Sequence, residues 1–170
     1  TGTKYETKLI SGIYEILVNR TGAEIMQENL ETLGEISYTD QEITYANAIL
    51  KEAGKPQLGI NGKVTPIQET LPAQGGSTDV GDVSQVVPTI RMSATVAADG
   101  GPWHSWAVVA CTGMSIGHKG MIYAAKALSM TMADLYKNPK LVEAVKADYK
   151  KNKMPEAYKP RILPGPPSLE

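Results

Sequence analysis

The chain opens with a hydrophobic period of two. Over residues 4–18, Tyr5, Thr7, Leu9, Ser11, Ile13 and Leu17 fall on one side of an extended backbone, and Ile10, Tyr14, Ile16 and Val18 on the other. The first half alternates with charge (Lys4, Glu6, Lys8), whereas the second half is apolar on both faces, which predicts a strand running into a sheet. The run exceeds the usual strand of about 3–10 residues. It therefore calls for neighbouring strands that follow it, come from another chain, or precede it in a longer protein.

The period then changes to that of a helix. Residues 21–33 put Ala23, Met26, Leu30 and Leu33 on one stripe, with Thr21 and Glu24 in capping-box spacing and Gly34 as the stop. Thr39 and Glu42 start a second helix, whose stripe is Ile43, Ala46, Ile49, Leu50 and Ala53 and whose stop is Gly54. Residues 55–76 have no period and are punctuated by Gly and Pro, which predicts a loop or a substrate-side excursion. Two β-branched runs, 83–87 and 89–96, are split by Pro88 and predict a strand pair or one broken strand. Residues 115–136 carry the strongest helical pattern, through Met121, Ala124, Ala125, Leu128, Met132 and Leu135. Gly117, Gly120 and Ala124 leave the first turns of that helix thin, so that another backbone can come close. Pro139 opens a last helix with Leu141, Val145 and Tyr149 on one side. Pro155, Pro160, Pro164, Pro166 and Pro167 predict an extended tail.

Composition narrows the functional classes. The net charge is −1 and the longest basic run is Lys150, Lys151 and Lys153, which argues against a nucleic-acid partner. No apolar run approaches the roughly 18 residues of a membrane span. The polar opening residues lack a signal peptide's pattern, and the single Cys111 excludes an internal disulfide framework; both fit a cytoplasmic protein. Cys111 itself reads as a small buried apolar residue.

Candidate chemistry centres on His104, one of two histidines, in the turn Gly101-Pro102-Trp103-His104-Ser105. It reads either as a metal ligand held by Pro102 and shielded by Trp103 and Trp106, or as a loop histidine hydrogen-bonded to backbone. Residues 75–79 (Gly-Gly-Ser-Thr-Asp) form either a nest of backbone N–H groups for an oxyanion or carboxylate, with Asp79 or Asp82 orienting it, or a polar turn. The Gly-Lys-Ser/Thr ending of a phosphate loop is missing. His118 faces a pocket or caps packing. Asn19 and Arg20 hold a substrate carboxylate or end a strand in solvent. A two-metal hydrolase needs roughly five or six protein ligands and a carboxylate base. Two histidines, neither in ligand spacing with a carboxylate, do not supply them.

Three motifs taken together, residues 75–84 (Gly-Gly-Ser-Thr-Asp-Val-Gly-Asp-Val-Ser), 103–106 (Trp-His-Ser-Trp) and 115–121 (Ser-Ile-Gly-His-Lys-Gly-Met), resemble the closing part of the aminoacylase and glutamate carboxypeptidase family of metallopeptidases. Val18-Asn19-Arg20 and the helix after it fit the same family. The resemblance implies an α/β fold: part of a three-layer α/β/α zinc-peptidase-like catalytic domain over residues 35–160, preceded at 1–34 by the last strand and helix of a ferredoxin-like lid and followed at 161–170 by a Pro-rich tail. It also implies that His104 is the last metal ligand and that Gly76, Ser77, Thr78 and Asp79 line the substrate side. Asn19 and Arg20 then meet the substrate carboxylate, and His118 is a candidate pocket residue. Two divalent ions, zinc or manganese, a small-molecule amide substrate, and a second copy or sister subunit held through the lid complete that picture.

The family's His-x-Asp motif, its acidic pair and its general base have no counterpart here. The resemblance therefore implies a C-terminal portion of an enzyme that cleaves an N-acyl amide of the aminobenzoyl-glutamate kind and is inactive alone. Two other readings stay open, a stand-alone small-anion binding module and an assembly protein that pairs through residues 4–18.

Overall fold

A computed structural model of the chain describes residues 2–9, 11–69, 78–162 and 165. Six helices occupy them: α1 (Arg20–Leu33), α2 (Asp40–Glu52), α3 (Val80–Val86), α4 (Trp106–Thr112), α5 (Ser115–Lys137) and α6 (Pro139–Asn152). No strand is present among the described residues. The expected α/β fold, with its three-layer catalytic domain and ferredoxin-like lid strand, is thereby corrected to a helical architecture.

The physical reason lies in where the main-chain groups go. Residues 14–17 lie along α3, where a side-chain framework takes the place of a ladder. The Leu17 N–H donates to Ser84 Oγ (2.8 Å), and Gln85 Nε2 donates to the Glu15 carbonyl (3.0 Å). A Cβ on Gly81 would overlap the Tyr14 carbonyl, so only glycine lets α3 come this close. The expected strand at 83–87 falls largely within α3. Thr78 starts that helix by accepting from Val80 N at its hydroxyl (3.3 Å) and from Gly81 N at its carbonyl (3.2 Å). Gly81 and Ser84 are buried in the contact with residues 14–17, while Val83 and Val86 face solvent. The tertiary contact has overridden β-propensity.

α5 is the spine, packing against α1, α4 and α6, while α2 packs on α4. One core cluster joins Ala46 and Leu50 of α2, Ala98, Cys111 of α4 and Ile116 of α5. Cys111 is fully buried, as its apolar reading anticipates. On the α1 side, Asn29 Nδ2 donates to Thr131 Oγ1 (3.1 Å) and Asp134 Oδ2 (2.8 Å), and Tyr123 OH donates to the Gly34 carbonyl (2.9 Å), satisfying the end of α1.

The period of α5 is as expected, but its inner face is not. Met121, Leu128 and Met132 are exposed, whereas Ile116, Gly117, Gly120, Ala127 and Thr131 are buried. The small residues face inward because backbones meet there. A Cβ on Gly120 would overlap the Thr95 carbonyl, and one on Gly117 the Thr112 carbonyl. Among the described residues, no helix is long and apolar enough to cross a membrane.

Candidate functional site

His104 stands alone among the described non-glycine residues in having a positive φ, of 58°. That left-handed conformation strains a residue with a Cβ and is found where a side chain must be aimed. The turn is built from its neighbours. Ser105 Oγ donates to the Pro102 carbonyl (2.6 Å) and accepts from Ala107 N (3.3 Å), which caps α4, a helix that the sequence pattern did not announce. The imidazole of His104 is exposed, and so are Trp103 and Trp106, at 69% and 53%. Neither indole closes over the histidine as a water shield.

The other candidates lie on different elements. Asn19 is the N-cap of α1, accepting from Gly22 N at Oδ1 (2.8 Å) and donating from Nδ2 to the Val145 carbonyl of α6 (2.8 Å). The cap expected at Thr21 is thus two residues earlier, and the Thr21 N–H instead donates to Asp148 Oδ2 (2.9 Å). Arg20 pairs with Glu24 and with Glu69, each at 2.9 Å. Hydrogen bonds to Glu24 first and Glu69 second raise its pKa above the ordinary value. Thr78 and Asp79 form the turn that leads into α3, with Asp79 exposed, while Gly75, Gly76 and Ser77 lie outside the described residues.

His118 is exposed on α5 and lines a pocket of about 480 Å³ with Leu33, Lys119, Ile122, Tyr123 and Lys126. Asn19 and Arg20 share the start of α1, and Thr78 and Asp79 start the helix that carries residues 14–17. No hydrogen bond or ion pair among the described residues joins His104 to either group.

Beside the His118 pocket is a polar cluster that sequence reasoning only half located. Glu42, recognised as a capping-box residue, is buried and accepts from Thr39 N (2.7 Å), Ser115 Oγ (2.6 Å) and Lys119 Nζ (2.6 Å). The Lys119 and Ser115 hydrogen bonds hold its carboxyl down to about 2. Lys119 also donates to the Ser37 carbonyl (2.9 Å) and lies over the Tyr38 ring. Burial and then the Glu42 charge push the Tyr38 hydroxyl up to about 12. With every partner engaged, this cluster joins α2 to α5.

No group of three or more His, Cys, Asp or Glu side chains among the described residues can hold a metal ion. One imidazole on a loop does not retain a divalent ion by itself.

No protein-family model matches the chain. No solved structure gives a significant match. Among curated proteins the chain is similar to a component of a hydrolase. That relative is a subunit of the p-aminobenzoyl-glutamate hydrolase of Escherichia coli strain K12, to which it is 28% identical over 174 aligned positions. The alignment covers 88% of this chain but 36% of the relative. The chain is a distant relative of that hydrolase component and spans about a third of its length.

Proposed function

We propose that this chain is the C-terminal portion of a metal-dependent amide hydrolase whose substrate is an N-acyl amide of the p-aminobenzoyl-glutamate type. The observation that carries the reading is the alignment with the p-aminobenzoyl-glutamate hydrolase component, which extends over 88% of the chain. In this reading His104 supplies one ligand of the metal site, and its left-handed backbone is the strained feature kept for that purpose. The other ligands and the general base come from outside the described residues. The ion would polarise the amide carbonyl and activate water. The loop of Gly76, Ser77, Thr78 and Asp79 takes the polar end of the substrate, with Thr78 ordered by its own turn. Arg20, which pairs with Glu24 and Glu69 here, would have to exchange one of these carboxylates for that of the substrate, and His118 lines a separate pocket. A second copy or a sister subunit engages the 1–34 part.

The test is glutamate release from p-aminobenzoyl-glutamate by the protein of the complete reading frame, compared with the 170-residue chain. Hydrolysis by the former and none by the latter is expected. No hydrolysis by the complete protein loaded with zinc or manganese contradicts the proposal.

A further inference from the structure

α3 has seven residues, against the roughly 12 that an isolated helix needs, so its place is set by what holds it. Two tyrosines from the C-terminal part hold it at both ends. Tyr149 OH of α6 donates to the Gln85 carbonyl (2.8 Å) near its end, and Tyr158 OH donates to Asp82 Oδ1 (2.8 Å) in its first turn. The Asp82 N–H in turn donates to the Asp79 carbonyl (3.0 Å), and the Gly81 N–H to that of Thr78 (3.2 Å). Tyr158 is thus two hydrogen bonds from Asp79.

The stretch that carries Tyr158 is mostly exposed; within residues 151–162 only Met154 and Tyr158 are half-buried. It nevertheless closes over residues 12–14. The Tyr14 and Tyr158 rings lie 5.6 Å apart between centroids, and Tyr14 OH donates to the Lys159 carbonyl (3.1 Å). The Arg161 guanidinium lies 4.5 Å over the Tyr14 ring. Gly12 leaves room for Arg161, whose Cβ would be 3.0 Å from a Cβ at that position. Tyr14 therefore meets α3 with its carbonyl and residues 158–161 with its ring.

We infer that residues 158–161 form a clasp over residues 12–14 and α3, in which Tyr158 is a positioning residue for Thr78 and Asp79. Leu17 and Glu15 engage Ser84 and Gln85 further along α3, so among these hydrogen bonds only that of Tyr158 reaches the first turn. The consequence for a substrate rests on the reading of Thr78 and Asp79 given under the proposed function; the clasp itself does not.

Tyr158→Phe keeps the ring beside Tyr14 and removes the bond to Asp82. In the 170-residue chain, hydrogen exchange at the amides of Gly81, Asp82 and Val83 is expected to quicken about tenfold in this variant, with the amides of α2 unchanged. Asp82→Asn keeps an oxygen that accepts from Tyr158 and is expected to exchange as the unaltered chain does. Equal exchange in Tyr158→Phe and the unaltered chain overturns the inference, as does Asp82→Asn exchanging as fast as Tyr158→Phe. In the protein of the complete reading frame, Tyr158→Phe is expected to raise KM for p-aminobenzoyl-glutamate about threefold or more, with kcat within about twofold. An unchanged KM overturns the positioning role. Absence of hydrolysis by the unaltered complete protein counts against the hydrolase reading alone, and the exchange at α3 then decides the clasp.

Discussion

The Lys119 ammonium lies 2.6 Å from Glu42 Oε2, binding the first turns of α5 to the capping box of α2. Glu42 is 8% exposed and accepts from both helices, so its loss removes the box, leaves Ser115 without its acceptor and leaves Lys119 with the Ser37 carbonyl alone. Glu42→Ala is expected to destabilise the chain by about 2–3 kcal/mol in urea unfolding. Lys119→Met is expected to cost about 1 kcal/mol, because the Lys119 side chain is 35% exposed and the carboxylate keeps its other donors.

The same carboxyl sets a pH dependence. Its folded-state pKa is lowered to about 2 from an ordinary value of 4.5. Its contribution is complete above about 4.5 and is lost as pH falls toward about 2. Unfolding midpoints followed from neutral pH into that window should fall in the unaltered chain and fall less in Glu42→Gln. Equal acid sensitivity in the two would assign the effect to other carboxylates.

Asn19 and Thr21 separate the observed cap from the expected one. Asn19→Ala removes the bond to Gly22 N and frees the Val145 carbonyl, with an expected cost of about 2 kcal/mol. Thr21→Ala is expected to change stability by less than about 0.5 kcal/mol, since it is the Thr21 backbone, not its hydroxyl, that bonds to Asp148. Denaturant midpoints of the two variants decide the matter, and the reverse order would restore Thr21 as the cap.

Gly120 marks the closest approach of α5 to the segment carrying Thr95. Gly120→Ala is expected to destabilise by about 1–3 kcal/mol, despite alanine's better helix propensity, because the new methyl meets backbone that cannot rotate away. A stabilised variant, as propensity alone predicts, would mean that the two segments are not in contact.

His104→Gly probes the strained turn. Glycine adopts φ 58° without the Cβ penalty, so the variant is expected to be as stable or more stable, by up to about 1 kcal/mol. Thermal unfolding measures it. A marked loss of stability would show that the imidazole holds the turn in place.

Local signals survived the passage from sequence to structure. Thr39 with Glu42, Gly34, Pro139 and the close-approach glycines of α5 each act through their nearest neighbours, and each does what its spacing predicts. Long-range signals did not. The alternation over 4–18 and the valines at 83–87 predict strands only if partner strands pair with them, and α3 offers Ser84 and Gln85 side chains instead. The inner face of α5 went unrecognised for a related reason. Apolar size suggested Met121 and Leu128, whereas close packing selected Gly120 and Ala127. At the candidate site, the Gly/Pro context marked the His104 turn, but nothing in the sequence announced helix α4 directly after it.

The proposed function turns on His104 as one ligand of a metal site completed by residues outside the described part of this chain. Elemental analysis of the complete-reading-frame protein, beside its His104→Ala variant, reads that role without relying on activity. Bound zinc or manganese is expected in the unaltered protein, with a fall of about half or more in the variant. Unchanged metal content in the variant would contradict the assignment of His104.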